Sequence, residues 1–185
     1  MDAGHGRRIV ESIESEYRRY ESLGRRALDQ LEDAQLVEAV PGSPNSVAVV
    51  VWHVSGNLRS RFTDFLTSDG EKPWRDRESE FESRPVSRAE LLEKWEDGWR
   101  ALHAALATLA DVDLARSVSI RGVPLGVDAA LQRSLAHTSY HVGQLVLLAR
   151  ILRGADWAFL SIPPGKSSEY NRDPTLEKPP SKPAS

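Results

Sequence analysis

Apolar residues recur at steps of three and four through Ile9, Ile13, Tyr17, Tyr20, Leu23, Ala27 and Leu31. That spacing predicts one face of an amphipathic helix. The Arg and Glu residues between them are interleaved in sign, as on a solvated face. Pro41-Gly42-Ser43-Pro44 breaks the pattern. A second helix is predicted over Val47–Leu66, capped by Asn45 or Ser46 and closed before Ser68-Asp69-Gly70. Its first half is apolar on nearly every side, which marks a central helix. A long, charged, irregular stretch follows from Leu66 to Val86, unusual inside a compact domain.

Ser87-Arg88-Ala89-Glu90 fits a capping box. It opens a third helix whose stripe is Leu91, Trp95, Trp99, Leu102, Leu106 and Leu109. Val118, Ile120, Val123 and Leu125 flank Arg121-Gly122 and read as a small β-hairpin. A fourth helix is expected from about Asp128, as its cap, to Arg153, with Gly154 as its stop. Four long helices predict an all-α four-helix bundle. A stretch of about 18 residues can extend to about 60 Å, enough to run back along a helix of about 30 Å. The Leu66–Val86 crossover therefore permits the third helix to run parallel to the second, giving an up-down-down-up order. The bundle is expected over residues 6–171. Residues 172–185, rich in Pro, Lys and Ser, are expected to be a disordered tail.

The chain has 185 residues, a length that suits one domain with a core of its own. It carries 24 Lys and Arg against 27 Asp and Glu, so no basic excess points to nucleic acid. The longest apolar run, Val47–Trp52, is far too short to span a membrane. No apolar stretch follows the N-terminal charges, so a secretory signal is not expected and a cytoplasmic protein is. There is no Cys, which excludes disulfides, thiolate metal sites and a Cys nucleophile in the chain.

His137 and His141 stand one helical turn apart, on one face, so both imidazoles can reach one metal ion. His53 sits in the most apolar part of the second helix, where an unpaired polar group would cost roughly 1–3 kcal/mol. One face of that helix carries His53, Asn57 and Arg61, and one face of the fourth carries Arg133, His137, His141 and Gln144. Two polar stripes on otherwise apolar helices imply a shared polar cavity. Gly56 and Gly143 beside them suggest close approach or room for a ligand. His103 is expected at the surface or boundary.

These features resemble the DinB/YfiT-like superfamily of metal-binding bundles. The stretches 51–58 (VWHVSGNL), 67–72 (TSDGEK), 136–144 (AHTSYHVGQ) and 160–167 (LSIPPGKS) look like one branch of it without assigned activity, over roughly residues 6–171. The resemblance implies that His53, His137 and His141 bind a divalent metal, zinc or nickel, and that the protein is a homodimer. Some members are transferases or isomerases that use a low-molecular-weight thiol.

Three neutral imidazoles leave a metal at least one open position, whereas a closed structural site normally has four protein ligands. Water there can be acidified toward a pKa of ~7, and a thiol can be deprotonated outright. Asn57 and Gln144 are candidates to fix imidazole N–H groups or orient a ligand. Arg61 and Arg133 are candidates to hold carboxylates of a peptide-like thiol. The loop Asp69–Arg84 and the segment Trp157–Asn171 are expected over the mouth of the site. No catalytic residue besides the metal stands out. A transferase using a low-molecular-weight thiol, a metal-hydroxide hydrolase and a non-catalytic metal-binding bundle serving stress response, sensing or scaffolding remain as readings.

Overall fold

A computed structural model describes residues 6–177 as four long helices with short elements between them. α1 is Arg8–Leu28, α2 is Asp33–Val37, α3 is Val47–Phe62 and α4 is Arg88–Thr108. The hairpin β1 (Ser117–Ile120) and β2 (Val123–Gly126) leads into α5, Val127–Arg153, and α6 is the single turn Ser167–Tyr170. The direction of each long helix follows from its contacts. Gly24 meets Trp95 and Glu21 meets His103, so α1 and α4 are antiparallel. Trp52 lies under Lys94 and Gly98 abuts Ser55, so α3 and α4 run parallel. Tyr17 donates to the Leu131 carbonyl, and Gln35, in α2 just beyond the C-terminal end of α1, donates to that of Leu152, so α1 and α5 run parallel. The order is up-down-down-up, as the crossover length predicts.

The caps explain where the helices start. Ser46 Oγ accepts from Val49 N at 3.3 Å to open α3. Ser87 and Glu90 form the expected reciprocal box on α4, worth about 1 kcal/mol. At α5 the cap position is Gly126, and Asp128 stands in the first turn with its carboxylate folded back beside Gly126. Asp128 thus meets the positive end of the helix dipole from inside the helix. Gly154, at φ +60°, ends α5. Two helices are shorter than their apolar patterns suggest. α3 stops at Phe62 because Thr63 is extended and Asp64 takes φ +50°. α1 stops at Leu28, and Leu31 still reaches the core from the turn that follows.

The core is made of the expected stripes. All six α4 stripe residues are buried, and the Trp99 ring meets Tyr17 edge-on at 6.4 Å. On α1 the exception is Ile9, which is 54% exposed while Val10 takes the core position. Gly98 lets α4 approach α3 closely, since a Cβ there would lie 2.6 Å from the Ser55 Cα. No helix among the described residues is long and apolar enough to cross a membrane. Of the expected tail, residues 178–185 lie outside the described residues, and Thr175–Glu177 form one 3-10 turn.

The hairpin is locked to the crossover loop by one side chain. The Asp69 carboxylate accepts from Ser119 Oγ at 2.6 Å and from the backbone N–H groups of Glu71, Arg121 and Gly122 at 2.7–2.8 Å. These bonds, that from Ser119 foremost, hold its carboxyl far below the usual range. Gly70 N adds a bond to the Ser119 carbonyl at 2.8 Å. The Arg121-Gly122 turn has positive φ at both residues, the geometry that matches strand twist in a two-residue hairpin.

Candidate metal centre

Antiparallel packing of α3 on α5 brings His53, His137 and His141 together, with one ring nitrogen of each within 4.8 Å of the others. The ring centroids lie 4.6–5.3 Å apart. Sequence spacing put the α5 pair on one face, and only the packing adds His53. His53 is buried in the apolar half of α3, with the Phe81 ring against it at 4.8 Å.

Which nitrogens face inward is decided by partners at the other ring atoms. His53 Nδ1 lies 2.9 Å from Glu80 Oε2, and an ionised carboxylate only accepts, so the imidazole donates there. Its Nε2 is thereby left with a free lone pair. His141 Nδ1 pairs in the same way with Gln144 Oε1 at 3.2 Å. The His53 and His137 Nε2 atoms stand 3.4 Å apart. Metal–nitrogen bonds of about 2.0–2.1 Å in a tetrahedral site need an edge of about 3.3–3.4 Å. Burial is the main cause that pushes His137 down to about 4, and the neighbouring His141, His53, Arg75 and Arg61 further disfavour a proton there. Burial also lowers His141, against the raising effect of Gln144. Both rings are neutral near pH 7, the form that binds metal. The residues therefore fit a divalent ion.

Glu80 has no counterpart among the expectations. It lies in a one-turn 3-10 helix, Glu78–Phe81, within the crossover loop. Arg75 grips it with two bonds, Nε to Oε1 at 2.8 Å and Nη2 to Oε2 at 2.9 Å. Both side chains are nearly sealed from solvent, at 2% and 7% exposure. Burial alone would raise the Glu80 carboxyl, and the bonds from His53 and Arg75 outweigh it, so the group is ionised. Gly56 makes the room: a Cβ there would lie 2.0 Å from Glu80 Oε1. The glycine was the sequence signal, but Glu78, Glu80 and Glu82 alternate in the loop, and nothing local singles out the middle one.

A cavity of about 450 Å³ opens from His53 and His137 toward the hairpin. Asn57, Arg61 and Arg133 all line it, as their helix faces predict, together with Gly70, Arg75 and Arg77 of the crossover loop. Asn57 fixes no imidazole; Glu80 does that work. The segment Trp157–Asn171 does not cover this cavity. It packs on the C-terminal end of α1, where Gln30 exchanges two hydrogen bonds with the Ala158 backbone and Arg26 bonds the Leu160 carbonyl. His103 sits at a boundary, paired with Glu21 at 2.7 Å.

A model of the family described as protein of unknown function DUF1572 matches residues 4–166. The chain belongs to that family. The matched region contains the three histidines, Glu80 and the whole cavity lining of this DUF1572 protein. No curated protein and no solved structure matches it.

Proposed function

We propose that this is a divalent-metal protein of the DinB/YfiT-like kind, in which His53, His137 and His141 hold one zinc or nickel ion. The observation that carries the reading is the convergence of three imidazoles whose outer nitrogens are engaged by Glu80 and Gln144 where partners are present. Carboxylate or amide partners of this kind fix ligand orientation in metal sites.

The activity this reading favours is transfer or isomerisation with a low-molecular-weight thiol in the reducing cytoplasm. A bound divalent ion would supply the Lewis acidity that lowers the pKa of a thiol entering from the cavity. The chain's own residues bind and position. Glu80 holds His53 in one tautomer, and Phe62 and the hairpin line the cavity with apolar side chains. Arg61 and Arg133 offer guanidinium groups to carboxylates of a peptide-like thiol. Glu80 is no general base, because both its oxygens are engaged by Arg75 and His53. No carboxylate lines the cavity among the described residues, which speaks against attack by water. The same lack supports a second reading, a metal-binding bundle without catalysis.

Elemental analysis of tag-free protein tests the centre: one ion per chain is expected, lost in His137→Ala. Unchanged metal content in that variant refutes the assignment. Cobalt substitution tests the thiol. With no Cys in the chain, a sulfur-to-metal charge-transfer band on adding bacillithiol, mycothiol or glutathione must come from the added compound. If azide perturbs the cobalt spectrum and no thiol does, the thiol reading fails.

We also propose a homodimer through α5. Tyr140, Leu147 and Ile151 lie 69%, 58% and 51% exposed on one helix face. Gly143 sits among them with nothing within 4 Å of where a Cβ would be, so a second copy of the helix can approach closely.

A further inference from the structure

The cavity beside the three histidines is unusual in its charge. Among the described residues five arginines line it, Arg61, Arg75, Arg77, Arg121 and Arg133, and no acidic side chain does. Their partners account for only part of that charge. Arg75 is satisfied by Glu80, and Arg77 by Glu78 and the Phe81 ring. Arg61 and Arg121 share one carboxylate, Glu71, at 3.5 and 3.0 Å. Arg133 has no ion pair or hydrogen bond among the described residues.

Arg61 is the most telling of the five. Its Nη1 is buried and makes no hydrogen bond among the described residues. The Glu71 oxygen beside it is beyond hydrogen-bond reach. A charged donor hidden from water without an acceptor is expensive to keep. Burial, with the like charges of Arg75 and Arg121, works against its protonated form more than Glu71 and Asp69 support it. Nη1 itself has no accessible surface, so an oxyanion in the cavity would act on the guanidinium through its other nitrogens and by its charge, and so offset the repulsion. The rest of the wall is apolar: Phe62 and Phe65 pack ring against ring at 5.2 Å, facing Ile120 and Leu125 of the hairpin. A volume of about 450 Å³ is within the range of small-molecule sites.

We propose that this cavity receives an amphipathic organic anion. Its carboxylate or phosphate head lies on Arg61 and Arg133, and its apolar body lies against Phe62, Phe65, Ile120 and Leu125. Its other end points toward the histidine centre. Arg133 is one helical turn, about 6 Å, from His137 along α5, so a ligand of modest length spans both. The metal end of this pose rests on the metal-centre reading; the arginine end does not. Three neutral imidazoles leave any bound divalent ion its full charge, which makes the whole cavity more attractive to an anion.

Calorimetric titration of the full chain with four eight-carbon probes tests this: octanoate, octyl phosphate, octanol and octylammonium. Each is run on chelator-treated and on metal-loaded protein. Octanoate, octyl phosphate or both should bind the chelator-treated protein, with octanol and octylammonium at least tenfold weaker. The comparison of the two anions tells a carboxylate site from a phosphate site. Arg133→Glu, at an exposed position where folding is not at risk, should weaken the preferred anion at least tenfold. Arg61→Met should do the same, with helix content checked by circular dichroism, while Arg100→Met on the far surface of α4 should change nothing. Octanol or octylammonium binding as tightly as the anions overturns the proposal, as does wild-type affinity in Arg133→Glu, or no binding by any probe. Anion binding that persists in a protein unable to retain metal would sink the metal centre and leave this proposal standing.

Discussion

Replacing Glu80 by Gln is the sharpest test of how the centre is built. The change keeps shape and removes one charge. In the native chain the carboxylate accepts from His53 Nδ1 and from two nitrogens of Arg75 at once. An amide has one accepting oxygen where the carboxylate has two, so it cannot take all three bonds: its NH2 must face either Arg75 Nε or the pair His53 Nδ1 and Arg75 Nη2, donor against donor. Arg75, 2% exposed, is then left as a buried charge without its counterion. Removing one partner of such a pair costs about 3–5 kcal/mol, against a typical total stability of about 5–15 kcal/mol. The variant should therefore fold but melt markedly lower. Metal affinity should fall about 10–100-fold, the usual effect of losing a partner that orients a ligand. The two effects separate in the double variant Glu80→Met with Arg75→Met, which leaves His53 Nδ1 with no acceptor at that position. Removing the orphaned guanidinium should restore much of the melting temperature and leave metal affinity low. Affinity is read by competition with a chelating indicator, and stability by thermal melts of metal-free protein. Wild-type metal affinity in the double variant would refute the orienting role. Gly56→Ala gives an independent check. On helix propensity alone it should stabilise α3 by about 1 kcal/mol, yet its Cβ would lie 2.0 Å from Glu80 Oε1. Metal affinity should fall as in Glu80→Gln, and combining the two should add little further loss.

Acid should destabilise the metal-free protein. His137 is held at about 4, against an ordinary value of 6.5, so between those values the unfolded chain takes up a proton that the folded one does not. Stability then falls as pH drops from about 6.5 to about 4, by roughly 1–2 kcal/mol once partial solvent screening is allowed for. Melts across that range should flatten in His137→Gln, and an unchanged slope would contradict the assignment. Asp69→Ala removes four hydrogen bonds that hold the hairpin to the crossover loop, so limited proteolysis should cut near Arg121 faster than in the native chain. Equal cutting rates would mean that Asp69 does not hold the hairpin. Leu147→Glu, at the exposed face of α5, should convert a sedimenting dimer to a 20.6 kDa species, and a native protein that sediments at that mass would end the dimer proposal.

What the sequence determined by itself was everything with short-range periodicity. The three-and-four spacing placed the four long helices, and the α4 stripe from Leu91 to Leu109 is buried throughout. The capping box at Ser87 and the glycine stop at 154 marked helix ends because helix-end bonds join residues only a few positions apart. Crossover length permitted the up-down-down-up order, and the helix contacts chose it. His137 and His141 share a face by helix geometry alone, and a polar His53 in an apolar helix required a partner. Tertiary structure decided which partner it was. Glu80 reaches His53 from an irregular loop, chosen from three similar glutamates by Arg75 and by the space at Gly56. Val10 rather than Ile9 is buried because it lies two turns before Tyr17 and within about 20° of its face, whereas Ile9 lies about 80° round the helix, and contact with the rest of the bundle reads that difference. The segment Trp157–Asn171 went to α1 rather than to the cavity because Gln30 and Arg26 offered its backbone hydrogen bonds there. Loop side chains and loop backbone find their partners through space, by charge, burial and unsatisfied hydrogen bonds, and these are properties of the folded chain that no spacing along it records.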